Sequence, residues 1–390
     1  LKRKILNKYN FVTESDTEVL LAMLKLYGTS CLKDINGMFA ICYINLQDNT
    51  YTLARDRFGQ KPLYYFKDKN SFYFASEIKS ILAAGVENLP DYMSISEYLH
   101  NGKVDCYQNT WFKNIKQVEA GTFIKIKGAN IIRNTKWYDL ENLKKLHLPK
   151  NLKEKNEIIN TTFTKVCNEH LNSDAKIGVK LSGGLDSSTM LAYSEKNSPN
   201  LTNKCFSVDF GSSFSEKEWI IETANFFNKK VSLLQYEVND FVNDYEKMIY
   251  THEGPLGGLM NCAFEKVYLD ANNNNIRVLL DGTGLDEAFG GYRVHHLIFL
   301  CRMKKNKNFK TYLKDYSNKW KIKEEDVNRE LNHLSKNSNY VQDGSTFNQN
   351  EFTTEYIHSL AKDHIHKEYS YNDNIQKHLL NYITCSKIPK

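Results

Sequence analysis

From about residue 150 the chain alternates short apolar runs with longer amphipathic ones, and two of the apolar runs end in loops rich in glycine and aspartate. A helix is read near 155–171, a strand at "KIGVKL", a helix from Ser187, a strand at "KCFSVDF" and a helix from Ser215. A strand near 231–237, helices through 270, a strand at "IRVLLD" and a further loop and helix follow. This order predicts a parallel α/β sheet with its loops gathered at the carboxyl edge. The first loop, "KLSGGLDSST", packs Ser182, Gly183, Gly184, Ser187 and Ser188 around Asp186. The second, "LLDGTGLDEAFGGY", sets Asp281, Asp286 and Glu287 among Gly282, Gly284, Gly290 and Gly291. Glycines let backbone N–H groups approach an anion, hydroxyls add donors, and the helix that follows offers its positive end. The first loop lacks the lysine of a Walker P-loop, so a different phosphate cradle is expected. Asp186 would repel a bare anion, which implies a bridging Mg²⁺. A carboxylate from each loop is the minimum needed to hold that ion on a nucleotide's phosphates.

The first 140 residues have another character. "ESDTEVLLAMLKLYG" places Ser15 three residues before Glu18, a capping-box spacing, ahead of a helix carrying Val19, Leu20, Met23, Leu24 and Tyr27 on one side, with Gly28 as its stop. The runs "MFAICYIN", "TYTLARD", "PLYYF" and "SFYFAS", separated by turn residues, suggest an antiparallel meander. "EIKSILAAG" reads as a helix, and strand-like segments return over 110–138. The charged stretch "ENLKKLHLPKNLKEKNE" reads as a linker. Residues 300–390 read as mainly helical. The fold class is thus an α+β N-terminal part, residues 1–140, followed by an α/β parallel-sheet part with a helical C-terminal portion, residues 141–390.

Composition bounds the partners. With 41% hydrophobic and 25% charged residues the chain is neither disordered nor fibrous, and no run approaches 18 apolar residues. The excess of 52 basic over 46 acidic residues is mild, and its densest stretches, Lys304 to Lys310 and Lys319 to Lys323, read as a solvated helical face; no nucleic acid and no membrane are expected. Eight scattered cysteines without metal spacing read as reduced thiols of a cytoplasmic protein. His252 and Glu253 before a Gly/Pro turn read as structural. His364 and His366, two apart on an expected helix, face apart and are not read as metal ligands. Arg55, Asp56 and Arg57 read first as a turn-stabilising cluster, with organisation of an interface as the functional alternative.

"LSGGLDSS" resembles the pyrophosphate loop of the N-type ATP pyrophosphatases, and "DGTGLDEAFGGY" narrows the resemblance to the glutamine-dependent asparagine synthetase family. "ESDTEVLL", "LKDINGMFAICYIN", "ARDRFGQKPLYY" and "FASEIKSIL" are similar, in order, to the later part of that family's N-terminal-nucleophile glutaminase domain. The resemblance implies a glutaminase domain of two antiparallel sheets that releases ammonia, and a second domain that binds MgATP, adenylates a carboxylate and lets the ammonia attack the acyl adenylate. It implies that Ser182, Gly183, Gly184, Asp186 and Ser187 hold the pyrophosphate end and that Asp186 and Asp286 bind Mg²⁺. Leu181 and Val208 would line the adenosine site, Asp281 and Gly282 would border the nucleotide, and Asp16 would receive the amino group of glutamine.

The sequence departs from the family in three ways. The family's nucleophile is a processed N-terminal cysteine with its own α-amino group as base; this chain has none, and is read as a piece of a longer protein. The family's later "R-x-P-F-L-D" segment is likewise not matched. The family's second loop reads S-G-E-G-x-D-E, its glutamate acting as base toward the amine. Here Thr283 replaces that glutamate and Asp281 replaces the serine, so Asp281 is left as the candidate base. Three readings stay open: amidation of aspartate, amidation of another carboxylate such as one on a surface polysaccharide, and a degenerate nucleotide-binding partner subunit. The expected partners are glutamine or ammonia and aspartate or another carboxylate, with ATP and Mg²⁺ as cofactors and a homodimer left open.

Overall fold

The computed structural model describes residues 1–101, 104, 108–140, 149–199, 202–211, 215–258 and 260–336. They form two compact units, one built from Leu1–Leu143 and the chain from Tyr292 onward, the other from Lys144–Gly291.

The first unit begins with α1 (Lys2–Ile5) and α2 (Asp16–Tyr27). Ser15 caps α2, but its side chain accepts from Thr17 N at 3.2 Å, and the Glu18 carboxylate reaches past the cap to Val12 N (2.9 Å) and Thr13 N (2.7 Å). The anticipated capping box is therefore replaced by a wider clasp, because Thr13 Oγ1 also donates to Glu18, at 2.6 Å, and draws the carboxylate away from the cap. Gly28, at φ +57°, ends the helix and returns its N–H to Leu24 O.

Strands β1 (Ala40–Asn45) and β2 (Thr50–Arg55) make a hairpin, and β3 (Tyr64–Lys67) and β4 (Phe72–Ala75) make another. Helices α3 (Ile78–Ala83) and α4 (Tyr92–Asn101) precede β5 (Ile115–Gln117), β6 (Thr122–Lys127) and β7 (Asn130–Lys136). The antiparallel strands form two sheets, as the resemblance implied, ordered β1-β2-β6-β7 and β4-β3-β5. Side-chain alternation explains the layering. Leu53 and Tyr51 of β2, with Ile124 and Ile126 of β6, meet Tyr65 of β3 and Phe72 of β4 between the sheets. Ile41 and Tyr43 of β1 turn the other way onto Met23 of α2, while Tyr64 and Phe66 of β3 turn onto Ile78 and Ile81 of α3.

The chain leaves one sheet for the other at "RDRFGQK". Arg55 and Asp56, 4% and 1% exposed, show why that crossing is rigid. The Arg55 guanidinium donates to Gly59 O (2.7 Å), Lys61 O (2.8 Å), Val118 O (2.8 Å) and Gln117 Oε1 (3.0 Å). The Asp56 carboxylate accepts from the N–H groups of Phe58 (3.1 Å), Gln60 (3.0 Å), Lys61 (2.9 Å) and Phe39 (3.3 Å). Gly59 sits at φ +66°, where a Cβ would lie 3.0 Å from the Arg55 guanidinium carbon. The cluster is the turn stabiliser anticipated from sequence.

The second unit runs α5 (Leu152–His170), β8 (Ile177–Lys180), α6 (Leu185–Asn197), β9 (Thr202–Asp209), α7 (Lys217–Phe226), β10 (Val231–Gln235), α8 (Val238–His252), α9 (Met260–Asn273), β11 (Val278–Leu280) and α10 (Leu285–Phe289). All its strand pairs are parallel, in the order β10-β9-β8-β11. Ile177, Val179, Cys205 and Leu280 pack with Leu191 of α6 and Ile220 of α7 on one face. Phe206 packs with Val267 and Ala271 of α9 on the other. The chain progresses outward from β8 through β9 to β10, then returns to place β11 on the opposite side of β8. That reversal makes the gap between the carboxyl ends of β8 and β11 the switch point where ligands of such sheets bind.

Helices α11 (Arg293–Met303), α12 (Phe309–Trp320) and α13 (Glu324–Lys336) close a core of their own on Leu297, Leu300, Leu313, Tyr316, Val327 and Leu331. Removing the buried Asp56 carboxylate leaves four backbone N–H groups of a partly buried turn without their acceptor. Asp56→Ala is therefore expected to lower the stability of the first unit by about 3 kcal/mol or more, read as a lower urea midpoint, and an unchanged midpoint would contradict the role given to the cluster.

Candidate active site at the sheet edge

The two glycine-rich loops leave β8 and β11, which are adjacent and parallel, with Leu280 level with Val179. The site is thus assembled by sheet register before any side chain is considered. In the first loop Ser187 Oγ accepts from Ser182 N (3.1 Å), lies 3.0 Å from Ser182 Oγ and donates to Gly184 O (3.3 Å), while Ser182 Oγ also accepts from Gly184 N at 3.3 Å. These bonds curl residues 182–187 around the start of α6, a 13-residue helix with Gly184 at its cap. Gly183 holds φ +74°, and a Cβ there would lie 2.8 Å from Ile220 N. Only glycine fits without moving α7.

The second loop folds against the first. A Cβ on Gly282 would lie 2.8 Å from the backbone carbon of Asp186, from its Cβ and from Ser187 N. Asp286 is near enough for its charge to act on the Asp186 carboxyl, so the two aspartates expected to share a metal lie in one neighbourhood. Burial raises the Asp186 carboxyl above its ordinary range, and the charges of Asp286 and Glu287 add to the shift. Crowded acidic oxygens with an elevated pKa suit a hard divalent cation, because its charge would offset both effects. Two carboxylates fit Mg²⁺, which completes its shell with substrate phosphates and water. Among the described residues no group of three or more His, Cys, Asp and Glu side chains is arranged as a metal site.

Asp281 has a different setting from the one its sequence position suggested. Its Oδ2 is 2.7 Å from Lys180 Nζ, and its Oδ1 accepts from Thr283 N at 2.8 Å. Burial would raise this carboxyl, yet the Lys180 ammonium and the Thr283 hydrogen bonds outweigh it and hold it below the usual range. A carboxylate stabilised in this way is a weaker base than a free one. Thr283 is exposed at the loop tip.

Lys180 escaped the sequence reading. It is the last residue of β8, where an alternating strand offered no cue that a lysine 16% exposed would be paired. The signal was the charged residue itself, set inside "IGVKLSGG" where the neighbouring residues are apolar or glycine.

The other candidates are dispersed. Leu181 is 1% exposed and belongs to the core with Val179 and Leu191. Val208 is partly buried on β9, between the Phe206 and Tyr236 clusters. Asp16 lies in the first unit, exposed in the first turn of α2. His252 ends α8 and Glu253 follows in the left-handed region, at φ +59°. His364 and His366 lie outside the described residues, as do Cys106 and Cys385. The six described cysteines are free, and burial pushes Cys31 and Cys205 up to about 11, which leaves them poor nucleophiles at neutral pH.

Comparison with known proteins agrees with this organisation. A protein-family model described as a glutamine amidotransferase domain matches residues 1–138, and one described as asparagine synthase matches residues 159–384, more than half of the chain. Asparagine synthetase [glutamine-hydrolyzing] 1 of Bacillus subtilis is 33% identical over 288 residues, covering 74% of this chain and 44% of its own length. Asparagine synthetase B [glutamine-hydrolyzing] of Escherichia coli is 28% identical over 310 residues, covering 74% of this chain and 48% of its own. The chain spans about half the length of the curated relatives it matches. Among solved structures, the glutamine-dependent NAD+ synthetase of Acinetobacter baumannii in complex with ADP covers 72% of this chain and 68% of its own at 12% identity, with a TM-score of 0.27, too distant a likeness to carry an argument. With its motifs in order, its parallel sheet and a synthase match over most of the second half, the chain belongs to the asparagine synthase family.

Proposed function

We propose that the protein is a glutamine-dependent asparagine synthase, with its glutaminase part over residues 1–140 and its ATP-using part over residues 141–390. The observation that carries this reading is the meeting of Asp186 and Asp286 at the switch point, on two glycine-rich loops held together by the close approach of Gly282 to the first turn of α6. Phosphates of ATP would lie over the N–H groups of Gly183 and Gly184 and the hydroxyl of Ser182, at the positive end of α6. Asp186 and Asp286 would hold Mg²⁺, which supplies charge neutralisation on the departing pyrophosphate.

In the reaction the aspartate side-chain carboxylate attacks the α-phosphorus and the bond to the β-phosphate oxygen breaks, giving aspartyl adenylate and pyrophosphate. Ammonia released from glutamine then attacks the acyl carbon, AMP leaves, and the amine gives up a proton to reach the amide. Asp16 would bind the amino group of glutamine in the glutaminase part. Thr283 cannot serve as a base near neutral pH, so loss of that proton is assigned to water or another group rather than to the loop tip. Among the described residues no helix is long and apolar enough to cross a membrane; a cytoplasmic location and a homodimer are proposed with the family reading.

The full-length gene product, supplied with MgATP, ammonia and aspartate, should release pyrophosphate only when aspartate is present. Release without aspartate, or none from a protein that binds MgATP, would contradict the proposal. Asp186→Asn should weaken MgATP binding by more than about 100-fold, since even the outer partners of a metal are worth about 10- to 100-fold. The same change should raise the stability of the ligand-free protein at neutral pH. A carboxyl whose folded pKa is raised stabilises the fold below its unfolded pKa and loses that contribution as pH rises through the folded value. MgATP affinity should fall as the solution is acidified toward the raised Asp186 pKa, a trend that titration calorimetry would follow. Gly282→Ala drives a methyl into backbone, which cannot yield as a side chain would, so MgATP affinity should drop at least about tenfold with the fold retained by circular dichroism.

A further inference from the structure

The family's second loop begins with serine where this chain has Asp281, and a buried carboxylate in that place requires a partner. The partner is Lys180. Lys180 ends β8 and Asp281 follows β11, one step beyond the level of Val179 and Leu280, so the parallel register places the two residues side by side. Alternation points them to the same face: Gly178 and Leu279, two residues before each, both pack toward the α9 side of the sheet. There Lys180 Nζ lies 2.7 Å from Asp281 Oδ2 and 3.9 Å from the ring centroid of Phe264 on α9. Both side chains are largely shielded, at 16% and 29% exposure, and the ring further separates the ammonium from water. The free oxygen of Asp281 takes the N–H of Thr283 and so fixes the turn that carries Gly282 onto Asp186 and Ser187.

We infer that Lys180 and Asp281 act as one positioning unit, a brace that sets the second loop against the first and thereby sets the approach of Asp286 to Asp186. The unit links strand end to strand end across the switch point and does not exchange protons with substrate. Its two members are interdependent: each alone is a buried charge without its counter-ion, whereas both together can be replaced by a neutral pair of similar size. This inference rests on the reading that the two loops bind MgATP.

The test is a double-mutant cycle on the full-length protein with Lys180→Met, Asp281→Asn and the combined variant, together with Lys180→Arg. MgATP affinity is measured by calorimetry, the urea midpoint by fluorescence, and kcat and KM by pyrophosphate release. Each single neutral change should weaken MgATP binding at least tenfold and raise KM for ATP more than it lowers kcat. The combined variant should return to within about threefold of the parent, and Lys180→Arg should keep most of the affinity. Asp281→Asn losing kcat with unchanged MgATP affinity, and no recovery in the combined variant, would overturn the brace and return Asp281 to a catalytic role. Additive losses in affinity and midpoint would also overturn it. If the parent binds MgATP but releases no pyrophosphate with aspartate, the functional reading fails while the affinity cycle still decides the brace. If the parent does not bind MgATP, the functional reading fails and the coupling in urea midpoints decides it.

Discussion

Everything at the sheet edge depends on the parallel pairing of β8 with β11. Four residues connect each of these strands to its helix, so strand register brings the two loops together before their own contacts refine them. The cost of the arrangement is that acidic side chains from two loops are pressed together in a partly buried place. Asp186 shows that cost as a carboxyl raised above its ordinary range, while the curled serines and the close glycine contacts hold the loops.

The same edge contains a second acidic residue with the opposite fate. Asp281 and Asp186 are both partly shielded by the fold, yet one is held below the ordinary carboxyl range and the other above it. The difference lies in what faces them. Asp281 has an ammonium at 2.7 Å, while Asp186 faces Asp286 and Glu287. Neighbouring carboxylates separated in this manner divide between anchoring and metal-binding roles. Elsewhere, in the first unit, the Arg55–Asp56 hub follows related physics: buried charges there are met mainly by backbone partners, which makes the crossing rigid.

Much of this was legible in the sequence, for identifiable reasons. The period change near residue 150, the two glycine-aspartate loops and the stop at Gly28 are local signals, and the structure places each as expected. The loop chemistry of Ser182, Gly183, Gly184, Asp186 and Ser187 was also local, because glycine and hydroxyl spacing speaks directly to backbone conformation. What escaped depended on pairing between distant segments. The partners that hold the "RDRFGQK" turn could not be read locally, because Gln117 and Val118 lie some sixty residues on. Lys180 could be recognised as the partner of Asp281 only once β8 and β11 were known to be neighbours.

The central claim is that the switch-point loops hold ATP while a carboxylate is adenylated. Its most direct test is oxygen transfer: aspartate labelled with ¹⁸O in its side-chain carboxylate, incubated with the full-length protein, MgATP and glutamine or ammonia, followed by mass spectrometry of the nucleotide product. Adenylation predicts one labelled oxygen in AMP for each asparagine formed. Unlabelled AMP, or label appearing in phosphate with ADP as the product, would contradict it.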